Sequence, residues 1–339
     1  MKLAMDAMGG DYAPKSIVQG ALDAVKEKKD ITIVLVGDER QIAPLTEGHP
    51  QLEILHTDEK IEASDQPTKA VRQKKNASMV LAINEVKEGR ADAVISAGNT
   101  GALMTAGLFG VGRIKGINRP ALGPTLSTID KKGFMLIDAG SNMDAKAEHL
   151  MQYAIMGSIY AEKVRGFHRP KVGLLNVGEE SGKGNELSKR TFELLREAPI
   201  NFIGNVESRD LFLGETDVVV ADGFSGNLIL KNTEGVGVSM TTILKNELTA
   251  SWFAKLISLC LYPQLKKLKD RLDYSTYGGA CLFGLAAPIV KVHGSANERA
   301  VLFAIRQAVR IVEGDVVRTI EETILKMREE SVQSRLADE

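Results

Sequence analysis

A chain of 339 residues with 44% hydrophobic and 26% charged side chains has the composition of a folded globular protein, long enough for one large domain or two lobes. Its 43 basic and 44 acidic side chains leave a formal net charge of −1, so no global field draws it to nucleic acid or to a membrane, and any basic site must be local. Two cysteines without a CxxC pair and five histidines without an HExxH-type spacing argue against a structural zinc site and a disulfide framework.

In chain order, MKLAMDAMGG carries one Lys and only three apolar residues before Asp6, too little for the apolar core of a signal peptide, and cytoplasmic residence is expected. Short β-rich runs then recur: KLAMDA, ITIVLVG, LEILHT, ADAVISAG, GFMLIDAG, KVGLLNVG, INFIGNV and DVVVADG, each ending in a Gly or polar turn. Between and after them, segments 14–29, 67–89, 147–165, 186–197, 225–250 and 297–329 show helical spacing, several opening on Pro, Ser or Asn. The alternation predicts an α/β fold: a mostly parallel sheet flanked by helices. No repeat, low-complexity tract or linker divides it. Residues 1–330 read as a single α/β domain, or as two closely joined lobes around a cleft, with 331–339 a frayed tail.

Open parallel sheets bind ligands beyond the carboxyl ends of their strands. The residues there are Asp6, Gly9, Gly10 and Asp11; Ser96, Gly98, Asn99 and Thr100; Asp138, Gly140 and Asn142; Gly178 and Glu179; Asp222, Gly223 and Asn227; and Gly294 with Ser295. The loop VGEESGKGNEL resembles an anion cradle, with Lys183 beside Gly182 and Gly184, although its spacing is not that of a P-loop and a plain helix cap is an equal reading. In SAGNTGALMTAG, Gly98 to Gly101 join a strand to a helix, which suits a phosphate or an oxyanion. No GxGxxG follows a strand, which disfavours a dinucleotide fold. His293, in PIVKVHG, is a second-rank proton carrier, and Cys260 and Cys281 read as packing residues. The basic groups 69–75 and 163–171 read as solvated faces.

Near the end of the α/β pattern, SWFAKLISLCLYPQLKKLKDRL holds the only Trp in the chain. Apolar side chains fill 252–262, and after Pro263 leucines alternate with basic residues. No run reaches the roughly 18 uninterrupted apolar residues of a spanning helix. Residues 245–272 therefore read as a protruding amphipathic helical hairpin that lies on a membrane: Trp252 and Phe253 at headgroup level, Leu256 and Leu259 inserted, Lys266 and Lys267 toward anionic lipid. Packing against a second copy is the other use of such a hairpin.

Taken together, DAMGGDYAP, SAGNTGALMTAG, RPAL, LIDAGSN, HLMQYAIMGS, LLNVGEESGKGNEL, DVVVADGFSGNLILKNTEG, YGGACLFGL and KVHGS resemble the bacterial phosphate acyltransferase (PlsX) family of phospholipid synthesis, in family order from residue 1 to about 310. The resemblance implies transfer of a fatty acyl group from acyl carrier protein to inorganic phosphate, giving acyl phosphate. It also implies a homodimer, no metal or nucleotide cofactor, and association with the inner face of the cell membrane, where a membrane-embedded glycerol-3-phosphate acyltransferase consumes the product. The family fold is similar to those of phosphotransacetylases and of isocitrate and isopropylmalate dehydrogenases. Phosphotransacetylases place a Ser-Arg pair on phosphate at a turn comparable to HGSANER; here Ala296 follows Ser295, so only Ser295 carries over.

Phosphate is anionic near neutral pH and a thiolate leaves readily, so direct attack on the thioester needs positioning and oxyanion stabilisation more than a strong base. The substrate-binding candidates are Gly9, Gly10, Ser96, Gly98, Asn99, Thr100, Lys183 and Gly184. Asn142, Asn185 or Asn227 would polarise the carbonyl or fix phosphate, and Asp222 or His293 would move a proton, with Ser295 nearby. The rivals are a metal-dependent dehydrogenase of similar fold and a non-catalytic, membrane-associated lipid-binding scaffold.

Overall fold

The computed structural model describes residues 1–265, 267 and 278–337. The strands are β1 (Lys2–Asp6), β2 (Thr32–Gly37), β3 (Leu52–His56), β4 (Ala93–Ser96), β5 (Ala121–Gly123), β6 (Thr125–Leu126), β7 (Phe134–Ile137), β8 (Lys171–Asn176), β9 (Asn201–Glu207), β10 (Val218–Val220), β11 (Ala280–Phe283) and β12 (Ile289–Lys291). The helices are α1 (Lys15–Glu27), α2 (Glu39–Ile42), α3 (Pro67–Gln73), α4 (Ser78–Lys87), α5 (Thr100–Gly110), α6 (Ala147–Lys163), α7 (Glu186–Glu197), α8 (Gly223–Thr249), α9 (Trp252–Cys260), α10 (Glu298–Glu313) and α11 (Val316–Ala337).

Each of the eight apolar runs named from the sequence becomes a strand. The anticipated parallel sheet is in fact two. A seven-stranded sheet runs β3-β2-β1-β4-β12-β11-β5, parallel from β3 to β12 with β11 antiparallel to both neighbours. A five-stranded sheet runs β6-β7-β10-β8-β9, parallel except for β6. The chain crosses from one to the other at Pro124, between β5 and β6. Strands covered on both faces need apolar side chains at every position, which is why β1 reads Leu3, Ala4, Met5 and β10 reads Val218, Val219, Val220, all buried.

Two segments expected as single helices break, and each break has a local cause. Between α3 and α4 the chain turns at Lys74–Ala77, with the Ser78 amide donating to Glu59 O, and this sets the Ser78 hydroxyl against Asp6. Between α10 and α11, Asp315 adopts a left-handed φ of 49° beside Gly314. Helix α1 packs on α10 through Gly20, where a Cβ would lie 2.6 Å from Val301 Cβ.

On three adjacent strands of the larger sheet, Asp6 pairs with Ser96 and Ser96 with Lys291 in register at the carboxyl ends. Residues in register on neighbouring parallel strands point to the same face, so these side chains form a row. At the far end of the fold, α8 runs out of the core and α9 folds back on it. The predicted hairpin thus begins within α8, and its second half, with Lys266, Leu268, Lys269, Arg271 and Leu272, lies outside the described residues.

Candidate active site

The first cluster sits where β1, β4 and β12 end. Buried Asp6 accepts the Ser78 hydroxyl at 2.6 Å, the Ser96 hydroxyl at 2.7 Å and the Met8 amide at 3.2 Å, and Ser96 Oγ in turn accepts the Gly98 amide at 3.0 Å. A Cβ on Gly9 would lie 2.5 Å from Asp6 Oδ2 and 2.6 Å from Gly98 N, so the turns after β1 and β4 touch backbone to backbone. Gly10, at φ +102°, lies against Ala97 and Gly294 O, and the Asp11 amide donates to Gly294 O at 2.8 Å. Asn99 caps α5: its Oδ1 accepts the Ala102 amide and its Nδ2 donates to Ala63 O and Asp65 O. Thr100 opens that helix exposed. His293 Nδ1 meets Ser295 Oγ at 2.9 Å, and both residues are exposed. Gly9, Gly10, Ser96, Gly98, Asn99, Thr100, His293 and Ser295 are therefore brought to one place.

Sequence reasoning missed the group beneath them. Lys291 is buried, and its Nζ donates to the carbonyls of Ala97, at 3.2 Å, and Val292. Burial pushes this ammonium down to about 8, against the pull of the Asp6 and Asp11 carboxylates. The signal was a lone Lys inside the apolar run PIVKV, where a solvated face would show alternation.

The second cluster sits where β7, β8 and β10 end. Asp138 is fully buried and accepts the amides of Leu122, Gly140, Ser141 and Asn142. Asn142 Nδ2 donates to Pro120 O at 2.6 Å and its carbonyl accepts the Gly223 amide, so its side chain buttresses the turn. Asp222 caps α8, accepting the Phe224 and Ser225 amides and the Ser225 hydroxyl. Asn185 caps α7, with Oδ1 accepting the Ser188 amide at 2.9 Å. Gly184, at φ +88°, has the Asn176 side chain where a Cβ would be, and Asn176 Nδ2 holds the Lys183 carbonyl. The Lys183 ammonium itself is exposed, 3.9 Å from Glu180.

Asn227 differs from the other asparagines. It is half-buried on the first turn of α8, its side chain faces Gly140, and its amide has no hydrogen-bond partner among the described residues. The carboxamide lies beside Gly140 with its hydrogen-bonding groups available to a ligand. Lys183 lies in the loop after β8 and Asn227 in the helix after β10, its neighbour in the sheet, whereas no hydrogen bond or ion pair among the described residues joins the Lys183 loop to the Gly98–Thr100 turn. Neither cysteine belongs to a cluster: Cys281 is buried in β11 and its thiol is pushed up to about 12 by burial, and Cys260 is exposed on α9. A cavity of about 690 Å³ between the starts of α6 and α7, lined by His149 and Arg190, includes none of the predicted residues.

A model of the family described as fatty acid synthesis protein matches residues 1–319. The phosphate acyltransferase of Anoxybacillus flavithermus is 56% identical over 329 residues, 97% of this chain and 100% of that protein. That of Bacillus cereus is 57% identical over 333 residues, 98% and 100% of the two chains. The chain belongs to the bacterial phosphate acyltransferase family. It is an acyltransferase, and its chemistry is acyl transfer involving phosphate.

Solved structures extend the likeness in fold. A phosphotransacetylase from Streptococcus pyogenes superposes with a TM-score of 0.63 at 15% identity, over 92% of this chain and 94% of that one. A branched-chain phosphotransacylase from Enterococcus faecalis gives 0.56 at 17%, over 91% and 99%. A 4-hydroxythreonine-4-phosphate dehydrogenase from Klebsiella pneumoniae gives 0.53 at 14%, over 92% and 100%. At such identities the fold alone is shared, and it is family membership that sets the dehydrogenase and scaffold readings aside.

Proposed function

We propose that the chain transfers a fatty acyl group from acyl carrier protein to inorganic phosphate, releasing acyl phosphate and free carrier thiol for phospholipid synthesis. The observation that carries this is Asn227, an unpartnered carboxamide on the first turn of α8 that faces Gly140 in the turn organised by Asp138. A phosphate oxygen attacks the thioester carbonyl, a C–O bond forms, and the C–S bond breaks to expel the pantetheine thiolate. Asn227 donates to the oxyanion of the tetrahedral intermediate, a role in which one preorganised donor is worth about 3–4 kcal/mol. Lys183 and the Gly98–Thr100 and His293–Ser295 turns hold phosphate and offset its repulsion from the acidic donor's surroundings. The absence of a usable thiolate near either cluster favours this single displacement over an acyl-enzyme.

Docking at a membrane is part of the same reading. On α9, Trp252 and Leu259 are 75% exposed, Phe253 61% and Leu256 58%. Burying each such side chain is worth about 1.5–3 kcal/mol, so a bilayer gains several kcal/mol from this helix alone. No described helix is long and apolar enough to cross a membrane. With the exposed Lys267 following it, the arm suits the anionic inner leaflet, where a membrane-embedded glycerol-3-phosphate acyltransferase takes the labile product; the working unit is a homodimer.

The reading is tested by incubating the protein with an acyl carrier protein thioester and phosphate. Equal amounts of acyl phosphate and free thiol are expected; thiol release without acyl phosphate, or no release, overturns it. In the same assay Lys183→Ala should raise the phosphate KM about tenfold and leave the carrier KM unchanged, and equal effects on both remove Lys183 from the phosphate site.

A further inference from the structure

Lys291 is a buried charge that no carboxylate contacts among the described residues. The residue is 8% exposed, its ammonium donates to two main-chain carbonyls, and it forms no ion pair among the described residues. An ammonium taken out of water without a carboxylate costs several kcal/mol, and such a cost is kept where the charge has work to do. The Asp6 and Asp11 carboxylates act on it across space, while the Asp6 oxygens accept the Ser78 and Ser96 hydroxyls rather than the ammonium.

What the ammonium does hold is the start of two turns. Ala97 precedes Gly98, Asn99 and Thr100, and Val292 precedes His293, Gly294 and Ser295. The two carbonyls belong to the residues just after adjacent strands β4 and β12, so one buried amine ties together the backbones that carry these groups. A site at this place has glycine backbones, a helix N-terminus, hydroxyls and below them an ammonium that no carboxylate contacts, which is the chemistry of an oxyanion site.

We propose that Lys291 is a positioning residue for the phosphate substrate: its ammonium pins the turns after β4 and β12 together and supplies the positive charge beneath the anion they receive. This rests on the reading that phosphate is a substrate, and it concerns the part of the phosphate site that the first cluster supplies. The charged groups that act on Lys291 are Asp6 of β1 and Asp11 of the turn after it, with Ser96 of β4 beside it in register and Ala280 of β11 opposite it. α10, which also packs on β12, meets the core with Ala300, Val301, Ala304 and Ile305 and leaves Glu298 and Arg299 exposed.

Because burial holds the Lys291 ammonium at about 8, well below the ordinary lysine value, the charge is present at pH 7 and lost as the pH rises past 8. Phosphate affinity should fall with it, by about tenfold one pH unit above that value. For the fold itself the sign is opposite. The unfolded chain keeps its proton up to the ordinary value, so stability without phosphate rises between pH 8 and that value.

The test measures phosphate KM, carrier-thioester KM and the melting-temperature rise given by inorganic phosphate, from pH 6.5 to 9.5, for the wild type, Lys291→Met and Lys291→Arg. Expected are a phosphate KM that rises about tenfold by pH 9 in the wild type, is at least about tenfold higher and flat above pH 8 in Lys291→Met, and is partly restored and flat in Lys291→Arg, with carrier KM within about twofold throughout. A residue that only supports the fold would lower the melting temperature and leave phosphate KM and its pH profile alone; that result, or a wild-type rise that persists in Lys291→Arg, overturns the proposal. If Lys291→Met does not fold, the wild-type and Lys291→Arg profiles decide. If the wild type makes no acyl phosphate, the functional reading fails by itself, and Lys291 is still judged by whether phosphate raises the melting temperature at pH 7 but not at pH 9 in the wild type, and at both in Lys291→Arg.

Discussion

The two ends of α8 meet opposite surroundings. At its start, a Cβ on Gly226 would fall well inside van der Waals contact of the Asp138 carbonyl oxygen, and one on Gly223 would lie 2.6 Å from the Asn142 carbonyl. Two to three turns later, Gly235 and Gly237 have nothing within 4 Å, and Val236, Val238, Met240 and Ile243 are exposed. The same residue type is a packing necessity at one end and bare chain at the other. Glycine at the buried end lets the Asp138 turn approach closely enough to set Asn227; apolar side chains at the bare end wait for a surface that the described chain does not supply.

The sharpest way to break that contrast is Gly226→Ala. Its methyl meets backbone, which cannot move aside cheaply, so a melting temperature lower by more than about 5 °C and loss of acyl transfer are expected in thermal melts and turnover assays. An unaffected variant would show that the contact is not needed. Next, Asn227→Ala should lower kcat roughly a hundredfold to a thousandfold with the melting temperature nearly unchanged, whereas Asn185→Ala, which removes a helix cap, should cost about 1 kcal/mol of stability. Reversed outcomes would exchange their roles. On the bare half, Leu256→Glu with Leu259→Glu should abolish sedimentation with anionic vesicles and leave activity on soluble carrier thioester within about twofold; a dimer that dissociates instead would mean that a second copy covers the arm. The smallest effect is Gly235→Ala, expected to stabilise by about 0.5–1 kcal/mol because a solvated helix interior prefers alanine.

How much of this was legible in the sequence depends on the range of the forces involved. The long strands showed as unbroken apolar runs because burial on both faces is written residue by residue. β5, β6 and β12 are as short as β10, and β11 is hardly longer, but they lack its unbroken run of valines, so they stayed hidden. With them went the fact that there are two sheets, since sheet order is set by contacts distant in sequence. The turns rich in Gly, Asn and Ser pointed correctly to the strand ends. Composition could not say that Asn99, Asn185 and Asp222 spend their side chains on helix caps, that Asn142 props up a turn, or that Asn227 is left unpartnered. Lys291 went unnoticed because a single charge in an apolar run carries no pattern; only the fold shows it buried beneath the turns.

The most direct measurement is a crystal structure of the protein in inorganic phosphate. An ion seated among Gly98–Thr100, His293–Ser295 and the Gly9–Gly10 turn, above Lys291, is the expected result. An ion found only elsewhere, such as the cavity beside Arg190, contradicts the claim that the strand ends of the larger sheet receive the phosphate.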